Sequence, residues 1–262
     1  MRKNKTWAYL LLIAVAACSP LNKLEKKNKP TLFTIGDSTV KNGQGTGGGG
    51  QWGWGDFIAP YFDTTKITIE NHARGGTSSR TFQTQGLWDR VLARIKPGDY
   101  VVMQFGHNDS SPLDDTARAR GTIKGVGDES NEIYNPIMKK QEVVHTYGWY
   151  MRKFISDVKA KDAMAVVCSP IPRNDWKNGK VTRSSDGYAL WAEQVAKSEG
   201  VAFINLNDLI ATKYEAMGAA AVKLFFPADH THTNIDGAKL NAEIVVDALK
   251  NINPKKLNKF FK

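Results

Sequence analysis

Cysteine is nearly absent from this chain, with two among 262 residues, at positions 18 and 168. A folded body holding only Cys168 forms no intramolecular disulfide, so its stability has to come from an apolar core. Long hydrophobic runs are missing as well. The apolar run 7–17 is too short to span a bilayer as a helix. No repeat of 20–50 residues is visible, which excludes solenoids and propellers. The glycine-rich segment 43–50 lacks the lysine of a phosphate-binding P-loop. Charge of one sign is scarce where it would matter. The formal net charge is +10, but residues 1–30 hold seven basic groups against Glu25, and 255–262 hold four lysines and no acid. Of the 36 basic and 26 acidic residues, 25 of each remain between 31 and 254. A nucleic-acid footprint needs a basic face on that body, so the charge total is weak evidence for one.

Arg2, Lys3 and Lys5 precede the apolar run, the layout of a signal peptide. Val15-Ala16-Ala17-Cys18 resembles the bacterial lipobox, in which small residues precede a cysteine that is lipidated. The expected organisation is a signal peptide at 1–17, a lipidated tether at 18–30, a folded domain at 31–254 and a basic tail at 255–262. Lysines, asparagines and prolines in the tether cannot bury an apolar face. An exported lipoprotein of the periplasm or outer membrane follows, held to the membrane through Cys18. Cys168, inside Ala165-Val166-Val167-Cys168, reads as a small buried hydrophobe.

Strand-length apolar runs at 31–35, 67–71, 100–105, 163–169 and 201–206 alternate with helical patterns at 55–62, 86–95, 147–161, 187–199, 208–217 and 235–250. This alternation predicts an α/β fold, a single doubly wound domain with a central parallel sheet of about five strands flanked by helices. The stretches 43–50 and 110–145 show no sustained periodicity. Both follow predicted strands and are placed to line a ligand groove.

Ser38 follows the first strand in Gly36-Asp37-Ser38-Thr39, and Asp229-His230-Thr231-His232 lies far downstream. A serine hydroxyl is a weak nucleophile at neutral pH and needs a base, which in turn needs a carboxylate to hold its tautomer. Ser38, His232 and Asp229 supply these parts, with His230 the alternative base. Asp37 and Asp109 read as structural hydrogen-bonding groups beside the chemistry. His107 either contacts substrate or braces Asn108.

The order Gly36-Asp37-Ser38, a loop glycine, Gly106-His107-Asn108-Asp109 and Asp229-x-x-His232 resembles the GDSL or SGNH hydrolase superfamily, over residues 31–252. That resemblance implies a flavodoxin-like fold. It also implies Ser38 as nucleophile, His232 as base and Asp229 as its partner, with an oxyanion hole of the Ser38 N–H, Gly76 and Asn108 and neither metal nor cofactor. Gly53-Trp54-Gly55, Gly76-Thr77-Ser78-Ser79-Arg80 and Phe105-Gly106-His107-Asn108-Asp109 look like rhamnogalacturonan acetylesterases. The implied substrate is an acetylated plant cell-wall polysaccharide, with Thr77 departing from the arginine expected there. Trp52, Trp54 and Trp176 are candidates for stacking on sugars, and Arg80 or Arg173 for pairing with a uronate carboxylate. Acetylated xylan is the neighbouring alternative, followed by a lipase or thioesterase, although no apolar lid is evident. More distant are a metal-dependent phosphoesterase using Asp37, Asn108, Asp109, Asp229, His230 and His232, and a non-catalytic glycan-binding lipoprotein.

Overall fold

Strands β1 (Thr31–Gly36), β2 (Thr68–Asn71), β3 (Tyr100–Gln104), β6 (Met164–Cys168) and β9 (Ala202–Ile204) form one parallel sheet in the order β2-β1-β3-β6-β9. β4 (Ser130–Asn135) and β5 (Lys140–His145) make an antiparallel hairpin, and β7 (Trp176–Lys177) and β8 (Lys180–Val181) a smaller one. This computed structural model describes residues 29–262. The expected signal peptide, Cys18 and nearly all of the tether lie outside the described residues.

β1 and β3 are buried along their whole length because helices cover both faces of the sheet. Leu32, Val102, Val166 and Ile204 point to a core shared with α5 (Leu206–Met217), α6 (Ala219–Lys223) and α7 (Ile235–Ile252). Phe33, Ile35, Val101, Met103 and Val167 point the other way. They pack against α1 (Ser79–Thr84), α2 (Leu87–Leu92), α3 (Tyr147–Ala160) and α4 (Tyr188–Ser198). Cys168 ends β6 fully buried, and burial pushes its thiol well up from its ordinary range. Polar caps set the helix starts: Thr146 accepts from the Trp149 N–H, Asn205 from Asp208 and Asn234 from Gly237. The Asn205 cap ends the fifth predicted strand early and starts the following helix at Leu206.

Four segments need correction or addition. Residues 55–62 form two 3₁₀ turns, Trp54–Asp56 and Ala59–Tyr61, instead of a helix. The Trp54 and Gly55 amides donate to the carbonyls of Thr39 and Val40, and Pro60 has no amide hydrogen to donate. A Cβ on Gly53 would lie 2.2 Å from the Val40 carbonyl carbon, so only glycine lets these two segments touch. The stretch 110–145 is not a bare loop, since it contains the β4–β5 hairpin. One face of that hairpin is exposed and the other buries Ile133 and Val144 beside the polar Asn135 and Glu142, so no apolar alternation announces a strand. Helix α1, at six residues, is too short for a periodic signal; its start is a Ser78–Thr81 capping box. Residues 255–262 are not a free tail. The 3₁₀ segment Pro254–Phe260 buries Leu257 and Phe260, and Asp63 donates its amide to the Phe260 carbonyl at 2.7 Å.

Arg80 corrects a further expectation. Its side chain is fully buried and paired through both arms with Glu142 on β5, at 2.8 and 2.7 Å, while Nη1 donates to the carbonyls of Leu113 and Gly121. The guanidinium therefore staples the 110–121 segment and the hairpin to α1 and is not free to meet a substrate. Burial alone would raise the Glu142 carboxyl, but hydrogen bonds from Arg80 and Asn135 bring it below its usual value. Removing one member of a buried, fully paired ion pair strands the other. Arg80→Met is therefore expected to lower the unfolding free energy by about 3–5 kcal/mol in urea melts; a loss under about 1 kcal/mol, the scale of an exposed pair, would contradict the staple.

Candidate active site

The parallel sheet changes its winding direction between β1 and β3, and ligands of open α/β sheets bind at such a switch point. Ser38 follows β1 and Asn108 follows β3, so the pairing of Gly36 with Gln104 brings the two turns side by side. A Cβ on Gly36 would sit 2.5 Å from the Gln104 carbonyl oxygen, which makes glycine obligatory at the last residue of β1.

Behind Ser38 runs a buried polar chain. Asp37 Oδ1 accepts from the Thr39 amide at 2.9 Å and the Thr39 hydroxyl at 2.7 Å. Thr39 Oγ1 accepts from Gln104 Nε2 at 2.6 Å, and Gln104 Oε1 from Trp54 Nε1 at 2.9 Å. Trp54, 1% exposed, is thus the far end of the scaffold that fixes the serine turn, and it presents no face to a sugar. Trp52 is half-buried, its ring 2.5 Å from where a Cβ on Gly47 would stand. The half-buried Trp176 donates its indole N–H to Asn174.

His232 Nε2 lies 2.8 Å from Ser38 Oγ, and His232 Nδ1 lies 2.7 Å from Asp229 Oδ2. The carboxylate accepts only, so it selects the tautomer with the proton on Nδ1 and leaves Nε2 free to take the serine proton. Asp229 Oδ1 also accepts the backbone N–H groups of Thr231 and His232, both at 2.7 Å. Burial works to raise the Asp229 carboxyl, but the His232 ring and these two amides outweigh it and hold it at about 2. His230 faces elsewhere, its Nδ1 2.7 Å from Asp175.

Gln51 completes this group, donating Nε2 to Asp229 Oδ2 at 3.1 Å while its oxygen accepts from Asn42 at 2.8 Å. A bridge between Trp52 and Thr233 ties its segment to the histidine loop. Nothing in the sequence separates Gln51 from any other surface glutamine, because the contact spans 178 residues.

Gly76, in the left-handed region at φ 82°, and Asn108 line the cleft with Ser38 and His232. Asn108 Nδ2 donates one hydrogen to the Thr77 carbonyl at 2.8 Å, which fixes the amide and leaves its second N–H free. The cleft measures about 710 Å³. Arg74, Arg118, Arg120 and Arg173 line it, and among the described residues no carboxylate does. Among the described residues the guanidinium groups of Arg74, Arg118 and Arg173 have no hydrogen-bonded or ion-paired partner. Of the two arginines expected to meet substrate, Arg173 reaches the cleft and Arg80 does not. His107 and Arg173 stand between this cleft and a second cavity of about 240 Å³. Burial pushes the His107 ring below its usual pKa, against the pull of the Asp37 charge. Among the described residues no group of three or more His, Cys, Asp or Glu is arranged to hold a metal ion.

Asp109 is fully buried behind Asn108, with Oδ1 accepting the Ser79 amide at 3.0 Å and the Ser79 hydroxyl at 2.5 Å. Burial drives its carboxyl up to about 7 against those hydrogen bonds, with the Asp37 charge adding to the rise.

The model of the GDSL-like Lipase/Acylhydrolase family matches residues 34–240. A rhamnogalacturonan acetylesterase of Emericella nidulans is 32% identical over 234 residues, covering 89% of this chain and 90% of its own. A probable rhamnogalacturonan acetylesterase of Bacillus subtilis, YesY, is 28% identical, covering 84% of this chain and 93% of its own. Among solved structures, Bacillus subtilis YxiM superposes with a TM-score of 0.67 at 26% identity, over 86% of this chain and 57% of that one. Axe2, an acetylxylan esterase from Geobacillus stearothermophilus, superposes at 0.55 and 17% identity over 84% and 94%, a likeness of fold alone.

The raised Asp109 carboxyl sets a pH dependence of stability. Between about pH 4 and 7 the unfolded chain has released this proton and the folded chain keeps it, so the Asp109 contribution falls as pH rises through that window and is flat above it. Asp109→Asn removes the titration. Thermal melts should show the difference in Tm moving in the variant's favour from pH 4 to 7; a constant difference would refute the assignment.

Proposed function

The chain belongs to the GDSL-like lipase/acylhydrolase family, and from that premise we propose that it is a serine esterase that removes O-acetyl groups from rhamnogalacturonan. The observation that carries this reading is the Ser38–His232–Asp229 relay, at 2.8 and 2.7 Å, opening into a cleft lined by arginines and, among the described residues, free of carboxylates. An acidic, hydroxyl-rich polymer suits that lining, while a long acyl chain finds no apolar tunnel there. Xylan, a neutral backbone, gives unpaired guanidinium groups no partner and is the weaker fit. Relatives that share most of this chain's length carry the name rhamnogalacturonan acetylesterase.

In the proposed mechanism His232 takes the Ser38 proton as Oγ attacks the acetyl carbonyl. The developing oxyanion meets the Ser38 and Gly76 N–H groups and the free N–H of Asn108. Such preorganised donors typically contribute about 10²–10³ in rate each. Collapse expels the sugar alkoxide, which takes the proton from His232 and leaves acetyl-Ser38. Water then loses a proton to His232 as it attacks the acetyl carbonyl, and collapse breaks the bond to Ser38 Oγ, which takes that proton back from His232 as acetate leaves. Asp229 orients the ring throughout and stabilises the imidazolium. Gln51 and the two backbone amides keep that carboxylate in place.

Acetate release from acetylated rhamnogalacturonan is expected to fall by about 10⁴-fold or more in Ser38→Ala and His232→Ala, and about as far in Asp229→Asn. Near wild-type turnover in any of the three would overturn the assignment. Equal rates on acetylated rhamnogalacturonan and acetylated xylan would remove the choice of polymer.

The N-terminal pattern supports a location for this activity: an exported bacterial lipoprotein, anchored through Cys18 in the periplasm or outer membrane. Cys18→Ala should move the protein from the membrane to the soluble fraction and abolish incorporation of labelled fatty acid. An unchanged membrane fraction would count against the anchor.

A further inference from the structure

Arg118 and Arg120 reach the cleft from one short loop between Asp109 and Thr122, and several contacts hold that loop in shape. Asp115 accepts the amides of Ala117, Arg118 and Ala119, the Gly121 amide donates to Pro112, and the Thr122 amide donates to Asp109. Arg80 binds the carbonyls of Leu113 and Gly121 from beneath. Ala119 between the two arginines takes φ 42°, in the left-handed region, an unusual conformation for a residue with a Cβ. The turn puts both guanidinium groups on the same side.

Both stand over Gly76. A Cβ there would lie 3.4 Å from Arg118 Nη1 and 3.9 Å from Arg120 Nη1. Arg120 is engaged by the protein: Nη1 donates to the Gly76 carbonyl at 3.1 Å and Nε to Ser111 Oγ at 3.1 Å. Partial burial and the charge of Arg118 push its guanidinium below its usual pKa, although it remains charged. Arg118 is exposed, and its guanidinium has no partner among the described residues. Two like charges are thus held together at the oxyanion-hole glycine; Asp115, Asp37 and Asp109 offset part of the Arg120 charge without hydrogen-bonding its guanidinium, and the exposed Arg118 guanidinium is left for an incoming anion to pair.

We propose that Arg118 reads the carboxylate of a uronate unit next to the acetylated sugar, with Arg120 as a positioning residue that keeps Gly76 and the loop in register. This rests on the esterase reading, and it adds the residue that selects acidic substrate. Its geometric basis is reach: with the acetyl carbonyl at Gly76, Asn108 and Ser38, a guanidinium over Gly76 meets groups within about one sugar unit. A planar guanidinium binds a carboxylate through two parallel N–H groups, which gives orientation as well as charge.

The test compares wild type, Arg118→Gln and Arg118→Lys on three substrates: acetylated rhamnogalacturonan oligosaccharides, the same oligosaccharides with methyl-esterified uronates, and 4-nitrophenyl acetate. Arg118→Gln is expected to lose about tenfold more kcat/KM on the acidic oligosaccharide than on 4-nitrophenyl acetate, mostly through KM. Methyl esterification should erase that extra loss, and Arg118→Lys should recover part of it. Equal losses on the acidic and methyl-esterified oligosaccharides, or no extra loss at all, would overturn the proposal. Calorimetric binding of the deacetylated acidic oligosaccharide, which needs no turnover, should weaken about tenfold in Arg118→Gln. Unchanged binding would again overturn it. A wild-type protein that binds this oligosaccharide through Arg118 but hydrolyses no acetyl ester would overturn the esterase reading alone.

Discussion

The parallel pairing of β1 with β3 is the constraint on which the site depends. Its register places Gly36 against Gln104, so the chain leaves both strands at the same height on the same edge. Ser38 and Asn108, 70 residues apart in sequence, become neighbours without either having to reach. Close packing at that pair excludes any side chain at Gly36, and the Gln104 amide below is held by Trp54 and in turn holds Thr39. The nucleophile therefore stands on a buried, hydrogen-bonded floor. A polar chain of this kind is costly unless every link is made, and once made it rigidifies the turn above it.

The remaining parts of the site arrive on loops, and each loop has its own anchor. Asp229 and His232 sit in a turn where one carboxylate oxygen collects two backbone amides and the other meets the imidazole. The glycine-rich segment brings Gln51 to the same carboxylate. On the opposite wall a buried Arg80–Glu142 pair fastens the segment that carries Arg118 and Arg120. A charge pair is expensive to bury, so its presence under that loop marks a position where a defined shape matters. The cleft thus combines a catalytic relay that ends in the Asp229 carboxylate with a cationic wall, and the two are held by separate scaffolds.

Much of this was legible in the chain. The alternation of apolar runs with amphipathic stretches announced a five-stranded parallel sheet covered on both faces, because strands buried on both sides leave near-continuous Val, Ile and Met. The spacing Asp229-x-x-His232 was legible because the two groups interact within a single turn. Features that depend on distant contacts were misread or invisible. Trp54 and Arg80 looked like surface groups for a sugar and a uronate, yet one braces Gln104 and the other Glu142, 50 and 62 residues away. The β4–β5 hairpin has too little buried face to show a period. Leu257 and Phe260 were hidden among lysines, and only their neighbours across the sheet end show them to be core.

From the sequence alone came the class of fold, the chemistry available to Ser38, His232 and Asp229, and the neutrality of the body, since each rests on local pattern or residue type. Tertiary structure decided which polar residues face the substrate. It turned Trp54 and Arg80 inward, brought Gln51 to Asp229, and set Arg74, Arg118, Arg120 and Arg173 around one cleft. The physical reason is that burial and partnership belong to pairs of residues far apart in the chain. A guanidinium has the same formula whether it staples a loop or waits for a carboxylate; what differs is what the fold puts beside it.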